Sequence, residues 1–182
     1  MLKQQGVTIF ELMITLAILA IVLTTVAPGI QSILIQNRII AEINELSGVL
    51  QYARHNAIDQ QANTVICPTD DFTTCSNDWD DAKMVFMDFD GNVERGANED
   101  ILVASSVINS VNDMTGPNGA IVFFPSGAAS QPGTLLLCHR DEDDEYARAL
   151  LISLQGRVKT SSDDDNNGIH EDASGTPLDC GN

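Results

Sequence analysis

The chain has 182 residues, an apolar content of 43% and a formal net charge of −17, with 26 acidic against 9 basic residues. This length leaves room for one membrane helix and one globular domain. So acidic a surface repels phosphate backbones and anionic lipid headgroups and attracts cations such as calcium, which disfavours a general nucleic-acid-binding protein.

A 20-residue apolar stretch lies near the N-terminus, at residues 7–26, and Glu11 is the one ionisable residue in it. A helix of that length, rising about 1.5 Å per residue, spans the roughly 30 Å of a bilayer core. A charge inside such a segment costs about 2.5–3.5 kcal/mol at the bilayer centre, so Glu11 needs a partner or a function. We therefore predict a transmembrane helix that carries a functional carboxylate.

The six residues before this stretch end in Gly6, with Lys3 as their one positive charge. An ordinary secretory signal has its cleavage site after the apolar stretch and not before it. The order of Gly6, an apolar residue and then Glu11 resembles the type IV prepilin signal. In that family a membrane-embedded peptidase cuts after the glycine and N-methylates the new amine. The resemblance implies a leader at 1–6, cleavage between Gly6 and Val7, and N-methylation of Val7, although Phe is more usual there; the alternative is an ordinary signal anchor.

The residues that follow predict that the helix continues beyond the membrane. Pro28 removes a backbone hydrogen bond and predicts a bend. After it, apolar residues recur at spacings of four and three, which places them on one helical stripe. We expect one long kinked helix from about residue 7 to about residue 59, with a transmembrane half at 7–27 and an amphipathic half at 28–59 that packs on a domain. The stripe consists of Ile39, Ile43, Leu46, Leu50, Ala53 and Ala57.

Short β-type runs broken by turn residues replace the helical pattern from about residue 60. Several short strands after one helix predict an α+β fold, in which an antiparallel sheet domain at 60–160, built as two sheets, packs on the helical stripe. Residues 161–182 are then an acidic C-terminal tail. The predicted strands are 64–67, 83–88, 101–108, 120–124, 134–138, 147–154 and 157–160.

Four cysteines lie in this part of the chain, and none forms a Cys-x-x-Cys pair, which disfavours a zinc or thioredoxin-type site. An even number in an exported domain favours disulfides, with three connectivities open. Cys67 and Cys75 flank a polar, turn-rich segment and could close it as a small loop. Cys138 would then pair with Cys180 and tie the C-terminal tail to the core.

The domain contains, in order, Cys67-Pro68, Cys75, Trp79, the runs VFMDFDGN at 85–92 and EDIL at 99–102, FFPSG at 123–127 and LLISLQGRV at 150–158. This series resembles the motifs of GspH/FimT-type minor pilins and pseudopilins and covers most of residues 7–159. The tail after Thr160 lies outside the pattern.

The resemblance implies a pilin-like fold in the shape of a lollipop and a structural role near the tip of a type II secretion pseudopilus or a type IV pilus. It implies a single-pass protein of the bacterial inner membrane with its domain in the periplasm. The implied partners are other pilins, the prepilin peptidase, the inner-membrane assembly platform and membrane lipid. Glu11 would guide each subunit into register on the filament. A membrane-anchored periplasmic domain that never assembles is the alternative from another class.

Two acidic loops have the spacing of calcium ligands. Asp163, Asp165 and Asn167, followed by Gly168, copy the first half of a calcium loop, but Ser174 stands where a bidentate Glu is expected. Glu171 or Asp172 could close a shorter loop, against the default interpretation of a solvated, flexible tail. The run from Asp88 to Asn92 has a similar pattern, but its early glycine favours a hairpin turn. No cofactor is required, and calcium is the one candidate.

Sequence motifs support catalysis and DNA binding less well than a structural role. Ser126 lacks the Gly-x-Ser-x-Gly context, and His55, His139 and His170 lack motif neighbours, so we predict a non-enzyme. Arg157 and Lys159 resemble the Gly-Arg-x-Arg motif through which some FimT-like pilins are thought to hold DNA. Two cations neutralise few phosphates, and the acidic residues 163–165 follow closely, so DNA binding is kept as an alternative function.

Overall fold

The computed structural model describes residues 6–140 and 144–181, without the side chains of 25–28. Within these residues one long helix, α1, spans Ile9–Gln60, close to the predicted bounds. Eight strands and one 3-10 turn, at Asp144–Tyr146, follow it in the described part of the chain. The strands are β1 (Asn63–Thr69), β2 (Ala82–Asp88), β3 (Ile101–Ala104), β4 (Asn112–Thr115), β5 (Ile121–Phe123), β6 (Gly133–His139), β7 (Arg148–Ile152) and β8 (Val158–Thr160).

The chain divides into two compact units between Asn37 and Arg38. In the first unit, described from Gly6, helix α1 exposes large apolar side chains from Ile9 to Leu23. Among the described residues no single helix is both long and apolar enough to cross a membrane. By length and composition, Ile9–Thr24 and Gly29–Gln60 could do so together as a bent pair. Residues 1–5 of the predicted leader and the side chain of Pro28, where the kink is predicted, lie outside the described part of the chain.

The second unit contains two four-stranded antiparallel sheets, as predicted. One sheet has the order β3-β2-β1-β5 and the other β4-β6-β7-β8. Every strand predicted from the sequence overlaps an observed one, although β3 ends at Ala104 instead of residue 108. Strand β4, which pairs with β6, was not predicted from the sequence. Its residues are mostly polar, and only Asn112 and Met114 turn inward, so hydropathy gives little signal there.

Alternation along the strands divides the buried side chains between two faces of each sheet. On the first sheet Val65 belongs to a small apolar cluster around Cys67, whereas its neighbour Ile66 points to the other face. On β6, Leu135 and Leu137 alternate in the same way with Cys138. All six residues of the predicted helical stripe are buried. The inner faces of the two sheets and this stripe therefore form the main core.

Polar side chains of α1 fix the helix to the loops of the domain. Glu42 accepts hydrogen bonds from the backbone N–H of Asn109 at 3.1 Å and the side-chain amide of Asn112 at 2.8 Å. About three helical turns further along, Arg54 donates through Nε to the carbonyl oxygen of Gly127 at 2.8 Å and through Nη2 to that of Gln155 at 3.3 Å. These contacts fix the rotation of the helix because each needs one particular side of α1 to face the domain.

Gly127 and Gly156 make the close approach at Arg54 feasible. Both have positive φ values, 78° and 71°. A Cβ atom on Gly156 would lie 2.0 Å from the carbonyl oxygen of Gly127, which is the acceptor for Arg54. Any side chain at position 156 must therefore displace the backbone that the helix binds.

Residues 161–181 fold back onto the second sheet, so the default interpretation of a flexible tail is wrong for this described segment. Ser162 and Glu171 form an isolated β-bridge, and the backbone N–H of Leu178 donates to the carbonyl oxygen of His170 at 2.8 Å. Leu178 is buried in an apolar cluster with Cys138. The structure contains the disulfides Cys67–Cys75 and Cys138–Cys180, the two pairings discussed from the sequence. Apolar burial and the second bridge together hold the segment. The cysteines indicated the bridge, whereas the acidic composition gave no sign of the apolar burial.

Lys83 is a buried cation beneath the helix. It is 1% exposed, and its Nζ has no hydrogen-bond partner within the described part of the chain. Burial lowers the pKa of Lys83 from its usual 10.5 to about 8, although the negative charges of Asp80 and Glu42 act in the opposite direction. The charged form therefore destabilises the folded state at neutral pH.

We expect Gly156→Ala to destabilise the protein more than Gly119→Ala. Gly119 has a similar φ of 79° but open space around it, so alanine there incurs backbone strain of about 1–2 kcal/mol only. The clash at Gly156 should add about 1–3 kcal/mol. Urea denaturation of the full-length protein in detergent measures both values. Equal losses at the two positions would contradict a steric requirement at Gly156.

We expect Lys83→Met to raise the free energy of unfolding at pH 7 by about 2–3 kcal/mol, because it removes a buried charge. The unfolded state binds more protons than the folded state between about pH 8 and 10.5, so the stability of the wild type rises through that range. The advantage of Lys83→Met should therefore shrink between these pH values. Urea denaturation of both proteins at pH 7 and pH 10 tests this, and a gap that stays constant would contradict it.

Candidate functional site

The N-terminal site contains the residues singled out by the prepilin-type pattern. Gly6, Val7 and Glu11 are all exposed, and helix α1 begins two residues after Val7. Thr8 caps the helix, since its Oγ1 accepts the backbone N–H of Glu11 at 3.2 Å. Thr8-x-x-Glu11 is also the spacing of a capping box, a role that the sequence analysis missed. The bond between Gly6 and Val7 therefore lies in accessible chain just before a capped helix.

The surface of this helix is apolar all round. The large apolar side chains from Ile9 to Leu23 are 44% to 83% exposed within the chain. The carboxylate of Glu11 takes part in no salt bridge with the described residues. An apolar surface of this extent marks a site for lipid or for other helices, because an ordinary soluble protein exposes far smaller patches.

A second site lies in the C-terminal segment. Carboxylate oxygens of Asp163, Asp165 and Glu171 lie within 4.8 Å of one another. Asn167, predicted as a third ligand, instead accepts the backbone N–H of Ile169 through Oδ1 at 2.8 Å and donates to Asp165 at 3.0 Å. It positions the loop, and Glu171 completes the cluster. From the sequence, either Glu171 or Asp172 could close the loop, because only the folded chain shows which of the two carboxylates turns toward the cluster.

Asp172, the other candidate, turns away to stabilise its own turn. Its carboxylate accepts hydrogen bonds from the hydroxyl of Ser174 at 2.7 Å and from the backbone N–H of Thr176 at 3.0 Å. These bonds lower the pKa of Asp172. Ser174, at the twelfth position of the copied calcium loop, is engaged in the same turn and does not complete the cluster.

The loop after β2 has a similar acidic pattern but a different role. Asp88, Asp90 and Glu99 also cluster, and two of them are buried. The carboxylate of Asp88 accepts the backbone N–H groups of Gly91 at 2.8 Å and Val93 at 3.2 Å. Both oxygens of Glu99 likewise accept backbone N–H groups, at 2.8 and 2.7 Å. These carboxylates are satisfied by the turn itself, in agreement with the turn predicted there.

Arg157 and Lys159, the candidate DNA contacts, are exposed at the edge strand β8. Both line a groove of about 1030 Å³. Asp164 and Asp172 line the same groove, so the two cations face acidic residues of the C-terminal segment. The groove therefore presents mixed charge to a ligand, and DNA contact at Arg157 and Lys159 stays a prediction.

Three functional or structural side chains had no clear signal in the sequence. Arg54 binds two loop carbonyls, but only its position off the apolar stripe was apparent. Lys83 occupies a strand that otherwise looks apolar, and its burial depends on the helix above it. His139, which has no motif neighbour in the sequence, is only 8% exposed. Its burial follows from its place on β6, where alternation puts it on the same face as Leu135 and Leu137.

Comparison with known proteins agrees with this architecture. Residues 42–156, more than half of the chain, match the family model of type II transport protein GspH. Residues 1–27 match the prokaryotic N-terminal methylation motif. No curated protein matches the chain at a significant level.

Similar solved structures show the same fold at low sequence identity. The type IV minor pilin FimU of Pseudomonas aeruginosa is 21% identical, with a TM-score of 0.57, and the match covers 69% of this chain and 90% of FimU. The minor pseudopilin EpsH from the type II secretion system of Vibrio cholerae is 9% identical, with a TM-score of 0.50, and the match covers 69% of this chain and 94% of EpsH. The chain belongs to the GspH family of minor pilins and pseudopilins.

Proposed function

We propose that the chain is a structural subunit near the tip of a type II secretion pseudopilus or a type IV pilus. One observation carries this proposal: an exposed helix that is apolar all round, preceded by Gly6 and interrupted by Glu11, is joined to a GspH-type domain. A soluble binding domain has no use for such a helix. A filament subunit uses it twice, first as a membrane anchor and then as a surface that packs against the helices of other subunits.

Cleavage after Gly6 supplies the cation that Glu11 lacks. The new amine at Val7 and the carboxylate of Glu11 each need an opposite charge in an apolar environment. Within one straight helix these groups are four residues apart and meet poorly. A neighbouring subunit that is shifted along the filament axis can bring its own amine to this carboxylate. Glu11 therefore sets the register between subunits.

The proposed location follows from the same helix. Before assembly the apolar segment lies in the bacterial inner membrane and the domain in the periplasm, where the two disulfides are stable. The prepilin peptidase and the inner-membrane assembly platform act on the chain there, and other pilins or pseudopilins join it in the filament. The role is structural and not enzymatic.

Processing gives a direct test. We expect Gly6→Glu to keep the leader attached, because the peptidase needs a small residue at the cut, and mass spectrometry of the wild type should show an N-methylated Val7 terminus. Gln5→Glu is the control. It adds the same charge one residue before Gly6, leaves the glycine at the cut unchanged and should be processed. A wild-type terminus at Met1, or one after the apolar stretch, would contradict the prepilin interpretation.

Assembly depends on the charge of Glu11. We expect Glu11→Gln and Glu11→Ala to be inserted and cleaved normally, to keep a folded domain, and to lose co-purification with partner pilins. Glutamine keeps the shape and the helical preference of glutamate, so its effect reports the charge alone. Affinity purification from membranes, followed by quantification of the co-purified pilins, measures the loss.

Thr8→Val is the matched control because it removes the cap of α1 but keeps the carboxylate of Glu11. It should retain most of the co-purification. If Thr8→Val and Glu11→Gln lose the partners equally, Glu11 acts by starting the helix and not by pairing with a neighbour. If Glu11→Gln assembles like the wild type, the register argument is wrong and a membrane-anchored domain that does not assemble becomes the better interpretation.

A further inference from the structure

The C-terminal segment contains a buried carboxylate oxygen that no donor satisfies. Glu171 is 6% exposed, and its Oε2 accepts the backbone N–H of Asp164 at 2.8 Å. Its Oε1 is buried and has no hydrogen-bond partner among the described residues. Leaving a buried charged oxygen unpaired is costly, so native proteins satisfy such atoms with a donor, a water molecule or an ion.

The surroundings of Glu171 favour an ion over a donor. Asp163 and Asp165 bring two more carboxylates, and one oxygen of each of the three residues lies within 4.8 Å of the others. No lysine or arginine of the described chain forms a salt bridge with them. Arg148, which acts electrostatically on Asp163, instead directs its guanidinium to the carbonyl oxygens of Glu145 and Ala147. Three negative charges are thus held together without a bound cationic side chain.

We propose that Asp163, Asp165 and Glu171 bind one divalent cation, with calcium as the preferred ion. The donors are carboxylate oxygens only, which suits hard cations such as calcium and magnesium and not zinc. The ring of the adjacent His170 is held by Ser161, whose backbone oxygen lies 2.8 Å from Nδ1. Calcium accepts irregular oxygen cages and can complete its shell with water, whereas magnesium requires a near-ideal octahedron.

The position of Glu171 is fixed by the backbone on both sides. Its N–H donates to the carbonyl oxygen of Ser162 at 2.9 Å, and isolated bridges link Glu171 to Ser162 and to Pro177. Asp165 is exposed, and it lies within the loop that contains Asn167. The cluster therefore combines a buried carboxylate, whose backbone is fixed by two bridges, with an exposed carboxylate that an ion can reach from solvent.

The loop after β2 shows why composition alone does not make such a site. Asp88 and Glu99 are as buried as Glu171, and Asp90 matches Asp165 in exposure. Backbone N–H groups occupy both oxygens of Asp88 and both oxygens of Glu99. An ion there would compete with these bonds. In the C-terminal segment Asp163 also accepts backbone N–H groups, from Asn167 at 3.1 Å and Gly168 at 3.0 Å. The difference between the two loops is therefore Oε1 of Glu171, a buried carboxylate oxygen without a partner among the described residues. The two loops are natural controls for each other.

Calcium titration of the full-length protein in nonionic detergent, after removal of metal with EDTA, tests the proposal. Calorimetry with calcium chloride should show saturable binding of one ion per chain, with a dissociation constant at or below about 1 mM, as in extracellular calcium modules. Saturating calcium should raise the melting temperature by mass action. Magnesium chloride at the same concentration should give a clearly smaller rise, and an equal rise would overturn the assignment to calcium.

Two variants distinguish a ligand from a structural carboxylate. Glu171→Gln keeps the acceptor for the N–H of Asp164 and removes the charge, so without calcium its melting temperature should equal or exceed that of the wild type. Asp165→Asn changes an exposed residue and should fold normally. Each should lower the calcium affinity by about tenfold or more. Asp90→Asn, the matched change in the other loop, should leave calcium binding unchanged.

The proposal is overturned if the wild type shows no saturable binding, since a water molecule then satisfies Oε1. It is also overturned if Glu171→Gln and Asp165→Asn bind calcium like the wild type. Equal weakening by Asp90→Asn would likewise overturn it, because the binding would then reflect the overall negative charge of the chain.

Discussion

Burial of one apolar stripe of helix α1 against two sheets is the constraint on which the rest of the structure depends. The stripe from Ile39 to Ala57 is buried, and the polar side chains beside it, Glu42 and Arg54, bind the loops. Burial of each large aliphatic side chain contributes about 1.5–3 kcal/mol to the free energy of folding. Burial of the stripe therefore provides most of the free energy that holds the domain on the helix. Before residue 24 the same helix exposes large apolar side chains instead of a single stripe.

The change of pattern along α1 therefore separates two environments. Where the apolar residues form a stripe, water covers the other side of the helix. Where they surround it, as from Ile9 to Leu23, lipid or other helices must cover it. This difference could be predicted from the sequence because the hydrophobic period is local. Other features that depend on local sequence could be predicted as well. They are the bounds of the helix, the apolar stripe, seven of the strands and the prepilin-type pattern at Gly6 and Glu11.

Features that depend on long-range contacts could not be predicted in the same way. Strand β4 forms because β6 offers a free edge, and its own residues carry little hydrophobic signal. Arg54 can bind the loop carbonyl of Gly127 only because Gly127 and Gly156 have no side chains that block the approach. Lys83 lies in the otherwise largely apolar strand β2, and its burial depends on the helix above the strand. In each case the property of the residue is set by a partner more than 20 positions away.

The C-terminal segment illustrates how covalent and apolar contacts prepare a polar site. The Cys138–Cys180 bridge and buried Leu178 fix the end of the segment, 42 residues from the partner cysteine. Binding an ion to an unrestrained acidic tail would require ordering many residues, each at a cost of about 1–2 kcal/mol. Because the bridge and the apolar contact order this segment first, an ion needs only to neutralise the carboxylates around Glu171. Preorganisation of this kind supports the proposed site of three carboxylates in a segment whose acidic composition alone would suggest disorder.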